Sequence, residues 1–204
     1  EEKKMDMTAM FKLSYGLFVV TAREGEKDNG CITNTAGQVT TTPNRITLAV
    51  NKGNYTHDMI LRTGVFNVSI LSEKASFDIF KHFGFQSGRD VDKFADYGAA
   101  ERSANGVYYI TEGTNAYLCA KVVDTMDLGT HTLFLADVTD GEVLDGSPSA
   151  TYAYYHSSIK PAPAKEQKKG WRCKICGYIY EGEELPADFI CPVCKHGAAD
   201  FEKI

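Results

Sequence analysis

Residues 171–204 contain the side chains with the most specific chemistry, four cysteines arranged as two Cys-x-x-Cys pairs. Cys173 and Cys176 form the first pair, and Cys191 and Cys194 form the second. Each Cys-x-x-Cys turn directs two sulfurs towards one centre, so two turns complete a tetrahedron of thiolates around one metal ion. A segment this short cannot bury an adequate core, and metal bonds must therefore supply much of its folding free energy. The spacing alone is compatible with iron and with structural zinc.

A second group of polar residues lies between positions 29 and 56. It comprises Thr33-Asn34-Thr35, Thr40-Thr41-Thr42 and Asn51-Lys52-Gly53-Asn54-Tyr55-Thr56, and the last of these runs into a predicted helix. Hydroxyls, amides and a lysine at a helix N-terminus are the groups that bind a phosphate. The alternative is that these residues form exposed strand faces and helix caps.

The composition predicts one main core with a small satellite domain. The chain has 204 residues, of which 43% are hydrophobic, and a formal net charge of -5. The acidic excess argues against a nucleic-acid partner. Because no apolar run could cross a bilayer or serve as a signal peptide, we expect a soluble, cytoplasmic protein with no membrane partner. Cys31 and Cys119, outside the two pairs, are predicted to be buried small hydrophobes.

The elements that must position these residues are mostly strands. Runs rich in β-branched and aromatic residues alternate with Gly, Asn or Pro, and the clearest strands are predicted at residues 17–21, 46–50, 66–70, 117–123 and 132–138. Helices are predicted at residues 8–14, at 55–62 with Gly64 as the stop, and from behind Ser72 to before Gly84. This pattern predicts a mainly β barrel or sandwich, and the lack of Gly-x-Gly-x-x-Gly and Walker motifs argues against a Rossmann domain.

The chain is predicted to consist of a first domain at residues 1–156, a linker at 157–170 and the cysteine module at 171–204. The linker contains Pro161 and Pro163 followed by Lys-Glu-Gln-Lys-Lys. Such a segment is semi-extended, so we expect it to let the module swing.

The cysteine module resembles rubredoxin, in particular the short form found at the end of rubrerythrins. The resemblance rests on Trp171-Arg-Cys-Lys-Ile-Cys-Gly, on Leu185-Pro-Ala-Asp-Phe-Ile-Cys-Pro-Val-Cys and on Phe201. It implies one iron bound by Cys173, Cys176, Cys191 and Cys194 that cycles between the ferric and ferrous forms. Lys195 departs from the pattern, because rubredoxins usually place glycine there. We call the turn at each Cys-x-x-Cys pair a knuckle. Since Gly197 follows two residues later, we expect the backbone of the second knuckle to be relaxed differently from that of the first.

The first domain resembles the flavin-reductase family of FMN-binding split β-barrels, which are normally homodimers. The resemblance is carried by Tyr15-Gly-Leu-Phe-Val-Val-Thr, Asn29-Gly-Cys-Ile-Thr-Asn-Thr-Ala, Val39-Thr-Thr-Thr-Pro-Asn and Gly64-Val-Phe-Asn-Val-Ser-Ile-Leu. It implies that the loop from Gly30 to Thr35 lines the flavin ring and that other residues approach the ribityl phosphate. The FMN contacts implied in this way are Thr33, Asn34, Thr35, Thr40, Asn51, Lys52, Asn54, Thr56, Lys93 and His131.

His131 is the candidate catalytic residue. Gly129-Thr130-His131 resembles the family's Gly-Asp-His, which would place His131 at the flavin where nicotinamide stacks. Thr130 replaces the acid of that motif, so the resemblance does not extend to a proton relay. The alternative is a histidine at the barrel edge without a chemical role.

The order of the two domains resembles the high-molecular-weight rubredoxins of anaerobes. That resemblance implies transfer of electrons from NADH or NADPH through FMN and iron to an acceptor protein, a flavodiiron reductase of nitric oxide or oxygen. Two alternatives stay open: a flavin reductase that releases reduced FMN, and a non-redox binding module with a zinc ribbon.

Overall fold

A computed structural model describes residues 5–161 and 170–204. The chain divides into two units, Glu1–Pro161 and Ala162–Ile204. Positions 162–169, which make up most of the predicted linker, lie outside the described residues, so the swinging tether stays a prediction. None of the helices in the described ranges is long and apolar enough to cross a membrane.

The first unit is built mainly from strands. They are β1 (Phe18–Glu24), β2 (Lys27–Thr33), β3 (Gly37–Thr41), β4 (Asn44–Asn51), β5 (Val65–Leu71), β6 (Ala100–Arg102), β7 (Tyr108–Ile110), β8 (Thr114–Asp127) and β9 (His131–Val143). The helices are a 3-10 helix (Met7–Lys12), α1 (Tyr55–Thr63), α2 (Phe77–Gly84), and a single turn (Tyr152–Tyr154) that continues as a π-helix (Tyr155–Ile159). The second unit has β10 (Trp171–Cys173), β11 (Ile179–Tyr180), a 3-10 turn (Ala198–Asp200) and β12 (Phe201–Lys203).

A short connection forces the main sheet to curl into a barrel. Its seven strands follow the order β2-β1-β5-β8-β9-β4-β3, so β2 and β3 lie at opposite ends. A flat sheet of this size would be roughly 29 Å wide at about 4.8 Å per strand. The chain from Thr33 to Gly37 can span at most about 14 Å. The two ends must therefore approach each other, which gives an open, or split, barrel.

Strand β1 is covered on both faces, which explains its unbroken apolar sequence. Successive side chains of a strand point to opposite faces. Val20 lies in the barrel core, whereas Val19 lies in a second core beneath α2. The barrel core also contains Leu48, Met59, Ile60, Phe66 and Phe134, and the second core contains Leu71, Ile79, Phe80, Phe83 and Ile110.

The predicted mainly β architecture with few helices and a small second unit is confirmed, with one helix start in error. Gly64 ends α1 in the left-handed conformation, with φ 68°, as predicted. The second helix begins at Phe77 and not behind Ser72. Ser72 forms a β-bridge with Ser149, so the chain there is still held by strand pairing. Strands β2 and β3 were not predicted, because polar residues interrupt their apolar pattern.

Leu48→Ala should lower the free energy of unfolding of the first unit by about 3 kcal/mol, because it leaves a cavity in the barrel core. Leu48 is 0% exposed. Leu61→Ala is the matched control, since Leu61 is 54% exposed on α1 and its truncation should change stability by less than about 0.5 kcal/mol. Urea unfolding followed by circular dichroism measures both, because the single tryptophan, Trp171, lies in the other unit. Equal losses in the two variants would contradict this description of the core.

Candidate functional site

The four cysteines of the second unit converge on one point. All four sulfurs lie within 4.8 Å of one another. Cys176 Sγ lies 3.5 Å from Cys191 Sγ, and Cys173 Sγ lies 3.6 Å from Cys194 Sγ. A tetrahedron with metal–sulfur bonds of about 2.3 Å has sulfurs about 3.8 Å apart. The arrangement therefore fits a single tetrahedral metal ion.

Lys195 adopts the backbone conformation that glycine adopts in the first knuckle. Gly177 has φ 78° and Lys195 has φ 64°, the latter being the one positive φ of a non-glycine residue in the described ranges. The Gly177 N–H donates to Cys173 O at 2.9 Å, and the Lys195 N–H donates to Cys191 O at 3.0 Å. The expectation that the second knuckle is relaxed differently was wrong. Gly197 has φ -82° and takes no part in the turn, since the sulfur geometry requires the left-handed residue directly after the ligand.

Backbone N–H groups favour the thiolate forms of the buried ligands. Burial raises the pKa of Cys191, but N–H groups of Cys194 and Val193 donate to its sulfur and bring the pKa down to about 6. Burial also raises the pKa of Cys173, but backbone N–H groups of Cys176 and Ile175 donate to its sulfur and lower the pKa overall.

At Cys176 and Cys194, N–H groups of Tyr178 and His196 lower the pKa, but burial and the neighbouring cysteine sulfurs outweigh them and raise it. Since a thiolate, and not a thiol, binds metal, the backbone prepares the two buried ligands for the ion. This donor set fits rubredoxin-type iron.

Aromatic rings pack around the buried ligands Cys173 and Cys191, whereas Cys176 is exposed. The rings of Tyr180 and Phe189 have centroids 4.7 Å apart, and those of Phe189 and Phe201 are 5.4 Å apart. Trp171 and Tyr178 join the same cluster. A dry shell of this kind tunes the potential of a bound metal.

Lys195→Gly should stabilise the iron module by about 1 kcal/mol, because a side chain in the left-handed region costs about that much. Gly177→Ala is the opposite substitution at the equivalent position and should destabilise the module by a similar amount. Thermal loss of the ferric–thiolate absorbance measures both effects. A Lys195→Gly variant that loses iron more readily than the wild type would contradict the assignment of strain to this residue.

In the first unit, the loop between β4 and α1 carries four of the predicted flavin residues, and its polar side chains are already engaged. Asn51 Oδ1 accepts from Gly53 N at 2.8 Å, and Asn54 Oδ1 caps α1 by accepting from Thr56 N at 3.1 Å. Thr56 is fully buried. Lys52 Nζ forms an ion pair with Asp127 at 2.7 Å.

The turn between β2 and β3 is tied to β4. Thr35 donates its hydroxyl to Ala49 O at 2.6 Å and lies 2.7 Å from the Thr33 hydroxyl. Asn34 and Thr40 are half-buried. The hydroxyl predicted to contact the flavin ring thus also closes the barrel turn.

His131 stands opposite Asn51 in the β4–β9 pairing. Its Nδ1 lies 2.9 Å from the Thr130 hydroxyl, so the threonine that replaces the expected acid still contacts the ring. The other ring nitrogen, Nε2, has no hydrogen-bond partner among the described residues and is available to a ligand.

A cavity of about 340 Å³ lies between the start of α1, the segment that follows α2, and β2. Asn54 and Lys93 line it; the other predicted flavin residues do not. Lys93 is 3% exposed and donates to Gly30 O at 2.8 Å and to Phe83 O at 2.9 Å. Burial lowers the pKa of Lys93. An ammonium group has three N–H donors, so one remains for a ligand in the cavity.

Gly88 is a lining residue of this cavity that sequence reasoning missed, and it packs against the buried side chain of Asn29. Asn29 donates to the Thr56 hydroxyl at 3.0 Å, while its Oδ1 is buried without a partner among the described residues. Gly88 lines the cavity beside it, and a Cβ there would lie 2.1 Å from Asn29 Oδ1. A buried lysine with one N–H to spare, a glycine in the lining and a helix N-terminus fit the phosphate end of a flavin.

Buried His57 connects this cavity to the strand that carries His131. His57 Nε2 lies 2.8 Å from the Thr132 hydroxyl, and Nδ1 lies 2.9 Å from Asp58. Asp58 in turn pairs with Arg89 at 2.6 Å. The segment after α2, the first turn of α1 and β9 therefore hold one another in place.

Two family matches divide the chain at the same place as the structure. Residues 10–163 match the flavin reductase like domain, and residues 171–202 match the rubredoxin-like domain of rubrerythrin. The high molecular weight rubredoxin of Moorella thermoacetica is 36% identical over 230 residues, covering 98% of this chain and 100% of that protein. The ferric-chelate reductase (NAD(P)H) of Archaeoglobus fulgidus is 38% identical over 152 residues, covering 74% of this chain and 89% of that protein.

The first unit is also similar to solved structures. An NADH:FAD oxidoreductase of Streptomyces globisporus superposes with a TM-score of 0.65 at 20% identity, covering 74% of this chain and 93% of that one. At this identity the likeness concerns the fold, and it confirms the predicted split barrel.

Proposed function

Because this chain belongs to the flavin reductase-like family and carries a rubredoxin-like domain, as in the high-molecular-weight rubredoxins, we propose that it passes electrons from NADH or NADPH through bound FMN and iron to a flavodiiron protein. The flavin domain and the iron site make the chain an electron-transfer oxidoreductase; its donor, flavin and acceptor are the proposed part. The observation that carries the proposal is the preorganised four-thiolate site in one chain with a flavin reductase-like barrel.

The two cofactors together resolve a mismatch in electron number. A nicotinamide gives up two electrons at once, a single iron accepts one, and a flavin supplies the chemistry that converts between them. The chain must therefore bind flavin firmly, orient a nicotinamide against it and keep water from the iron.

Each of these tasks has candidate residues. The third N–H of Lys93 and the N-terminus of α1 would hold the phosphate end of FMN. The turn with Asn34 would line the ring. His131, with its ring held by Thr130, would donate or accept a hydrogen bond at the nicotinamide through Nε2. We also propose that the flavin domain comprises residues 1–156, the linker residues 157–170 and the iron domain residues 171–204.

An apolar arm supports the proposed homodimer. Val123, Met126 and Leu128 are exposed at the far end of the β8–β9 hairpin, next to the strand that carries His131. Clustered exposed apolar side chains mark protein interfaces. A second copy that covers this arm would also lie beside His131, because Leu128 N donates to His131 O at 2.9 Å.

Anaerobic addition of NADH to the purified chain should bleach both the flavin bands and the ferric–thiolate bands of its visible spectrum. Cys176→Ser removes one of four ligands, so iron should be lost while flavin is still reduced. Cys119→Ser is the matched control, because Cys119 is buried in the first unit, does not line the flavin cavity, and its substitution should leave the iron bands intact. Reduction of the flavin alone, with iron that stays ferric in the wild type, would contradict the proposal, and a colourless protein would favour the zinc-ribbon alternative.

Lys93→Met should weaken the binding of FMN about tenfold or more and that of riboflavin by less than about threefold, because a charge-assisted hydrogen bond to phosphate contributes about 1.5–3 kcal/mol. Lys81→Met removes the same charge from an exposed position on α2 and serves as the control. Fluorescence titration of the apoprotein with each flavin measures the two dissociation constants. If Lys93→Met weakened the binding of FMN and of riboflavin equally, the phosphate of FMN would not contact Lys93.

The likeness to the ferric-chelate reductase, which covers 74% of this chain, favours a second candidate. A reductase that releases reduced FMN would act without the iron module. It predicts a saturable dependence of NADH oxidation on added FMN, and full activity in the Cys176→Ser variant.

A further inference from the structure

Lys195 is the one residue of the metal module whose backbone conformation is unfavourable for its side chain. Its φ is 64°, the one positive φ of a non-glycine residue in the described ranges, whereas Gly177 has φ 78° at the equivalent position of the first knuckle. Glycine adopts this left-handed conformation without strain, and asparagine tolerates it better than a lysine does. A strained residue at a position where glycine would serve indicates a role for its side chain.

The side chain of Lys195 folds back onto the second knuckle. Its Nζ donates to Pro192 O at 3.1 Å, so the ammonium group lies against the turn that joins Cys191 to Cys194. The side chain is exposed, and it forms no ion pair with any residue that the structure describes. One uncompensated positive charge therefore lies next to the turn that carries two of the four ligands.

The metal module has an acidic background that this cation opposes. Residues 171–204 contain four basic and six acidic residues, for a net charge of -2. Asp188 lies three residues before Cys191, and Asp200 O accepts from Lys174 N at 2.8 Å beside the first knuckle. Neither aspartate forms an ion pair within the described part of the chain. Both carboxylates therefore oppose the addition of negative charge to the site.

The other basic residues of the module are compensated or more distant. Arg172 pairs with Glu202. Lys174 lies beside Asp200 on the first knuckle. Lys203 lies at the end of β12, with its Nζ 5.8 Å from the centre of an aromatic ring. The strained lysine is therefore the cation whose charge is least compensated close to the ligands.

Reduction makes a site of this kind more negative. Four thiolates around ferric iron carry one net negative charge, and one added electron raises it to two while no proton is taken up. A cation close to the thiolates stabilises the ferrous state more than the ferric state, so it raises the reduction potential. Because water and ions screen an exposed charge, the effect should weaken as salt is added.

We propose that the ammonium group of Lys195 raises the reduction potential of the iron site, and that the strained backbone is retained for this charge. The inference rests on the proposed function in taking the iron as the acceptor of single electrons within this chain. A higher potential makes the ferric site a better acceptor. Lys195 thus favours transfer towards the iron without being one of its ligands.

The test is a redox titration of the full chain with dithionite and ferricyanide, followed by the electron paramagnetic resonance signal of high-spin ferric iron. That signal belongs to the iron alone, and the titration uses no NADH. Lys195→Asn and Lys195→Gly both remove the charge, whereas Lys195→Arg keeps it. At a fixed solution potential, the ratio of ferrous to ferric iron should fall about threefold in the first two variants, equivalent to about 30 mV, and stay unchanged in Lys195→Arg.

Salt separates the effect of charge from that of strain. The Debye length is about 30 Å at 0.01 M and about 3 Å at 1 M ionic strength, so the difference between wild type and Lys195→Asn should shrink at least about twofold between these conditions. Relief of strain would instead separate Lys195→Gly from Lys195→Asn at every salt concentration. All titrations are run at one pH, so that titration of the neighbouring His196 does not enter the comparison.

Lys203→Gln is the matched control, because it removes one positive charge from the same module at the end of β12. It should shift the ratio by less than about half as much as Lys195→Asn. Iron content per chain confirms folding, and Lys195→Gly replaces Lys195→Asn if the latter loses iron.

Three results would overturn the proposal: a wild-type potential in both neutral variants, a shift in Lys195→Arg or Lys203→Gln as large as in Lys195→Asn, or a difference that salt does not reduce. Failure of NADH to reduce the iron would refute the proposed donor and leave these results unchanged.

Discussion

Closure of the seven-stranded sheet by the short chain between Thr33 and Gly37 is the constraint on which the first unit depends. It brings the end of β2 to the start of β3 and, through the Thr35 hydroxyl on Ala49 O, to the middle of the 29–56 polar region. The turn that carries Thr33, Asn34 and Thr35 is thereby fixed against β4. The same closure creates the inner core, with β1 covered on both faces.

The second unit depends on a different kind of constraint. Its sulfurs converge because each knuckle folds locally, with the same backbone hydrogen bonds repeated at Cys173 and at Cys191. Because the Cys-x-x-Cys spacing determines the local turn, the four ligands could be predicted from the sequence alone. The conformation of Lys195 was not, because residue preference suggested glycine at 197 while the turn required a left-handed residue at 195.

The flavin region shows where sequence reasoning reaches its limit. Asn54 and Lys93 were predicted and line the cavity, but Gly88, which also lines it, was missed. These residues meet only through tertiary contacts between β2, α1 and the segment after α2, and no periodicity in the sequence encodes that meeting. The start of α2 was misplaced for a similar reason, since a distant bridge to Ser149 keeps Ser72 extended. Strong apolar runs, by contrast, located β1, β4, β5, β8 and β9.

The free edge of the barrel at strand β3 has a feature that hinders self-association into fibrils. In the described part of the chain β3 has one hydrogen-bonded neighbour, β4, so its other side presents free backbone groups to any extended peptide. The register between β3 and β4 shifts between Gln38 and Thr40. An irregularity of that kind bends the outer strand and spoils the flat template that a cross-β stack would need. The register shift thus makes the free edge of the barrel at β3 a poor template for the addition of another strand.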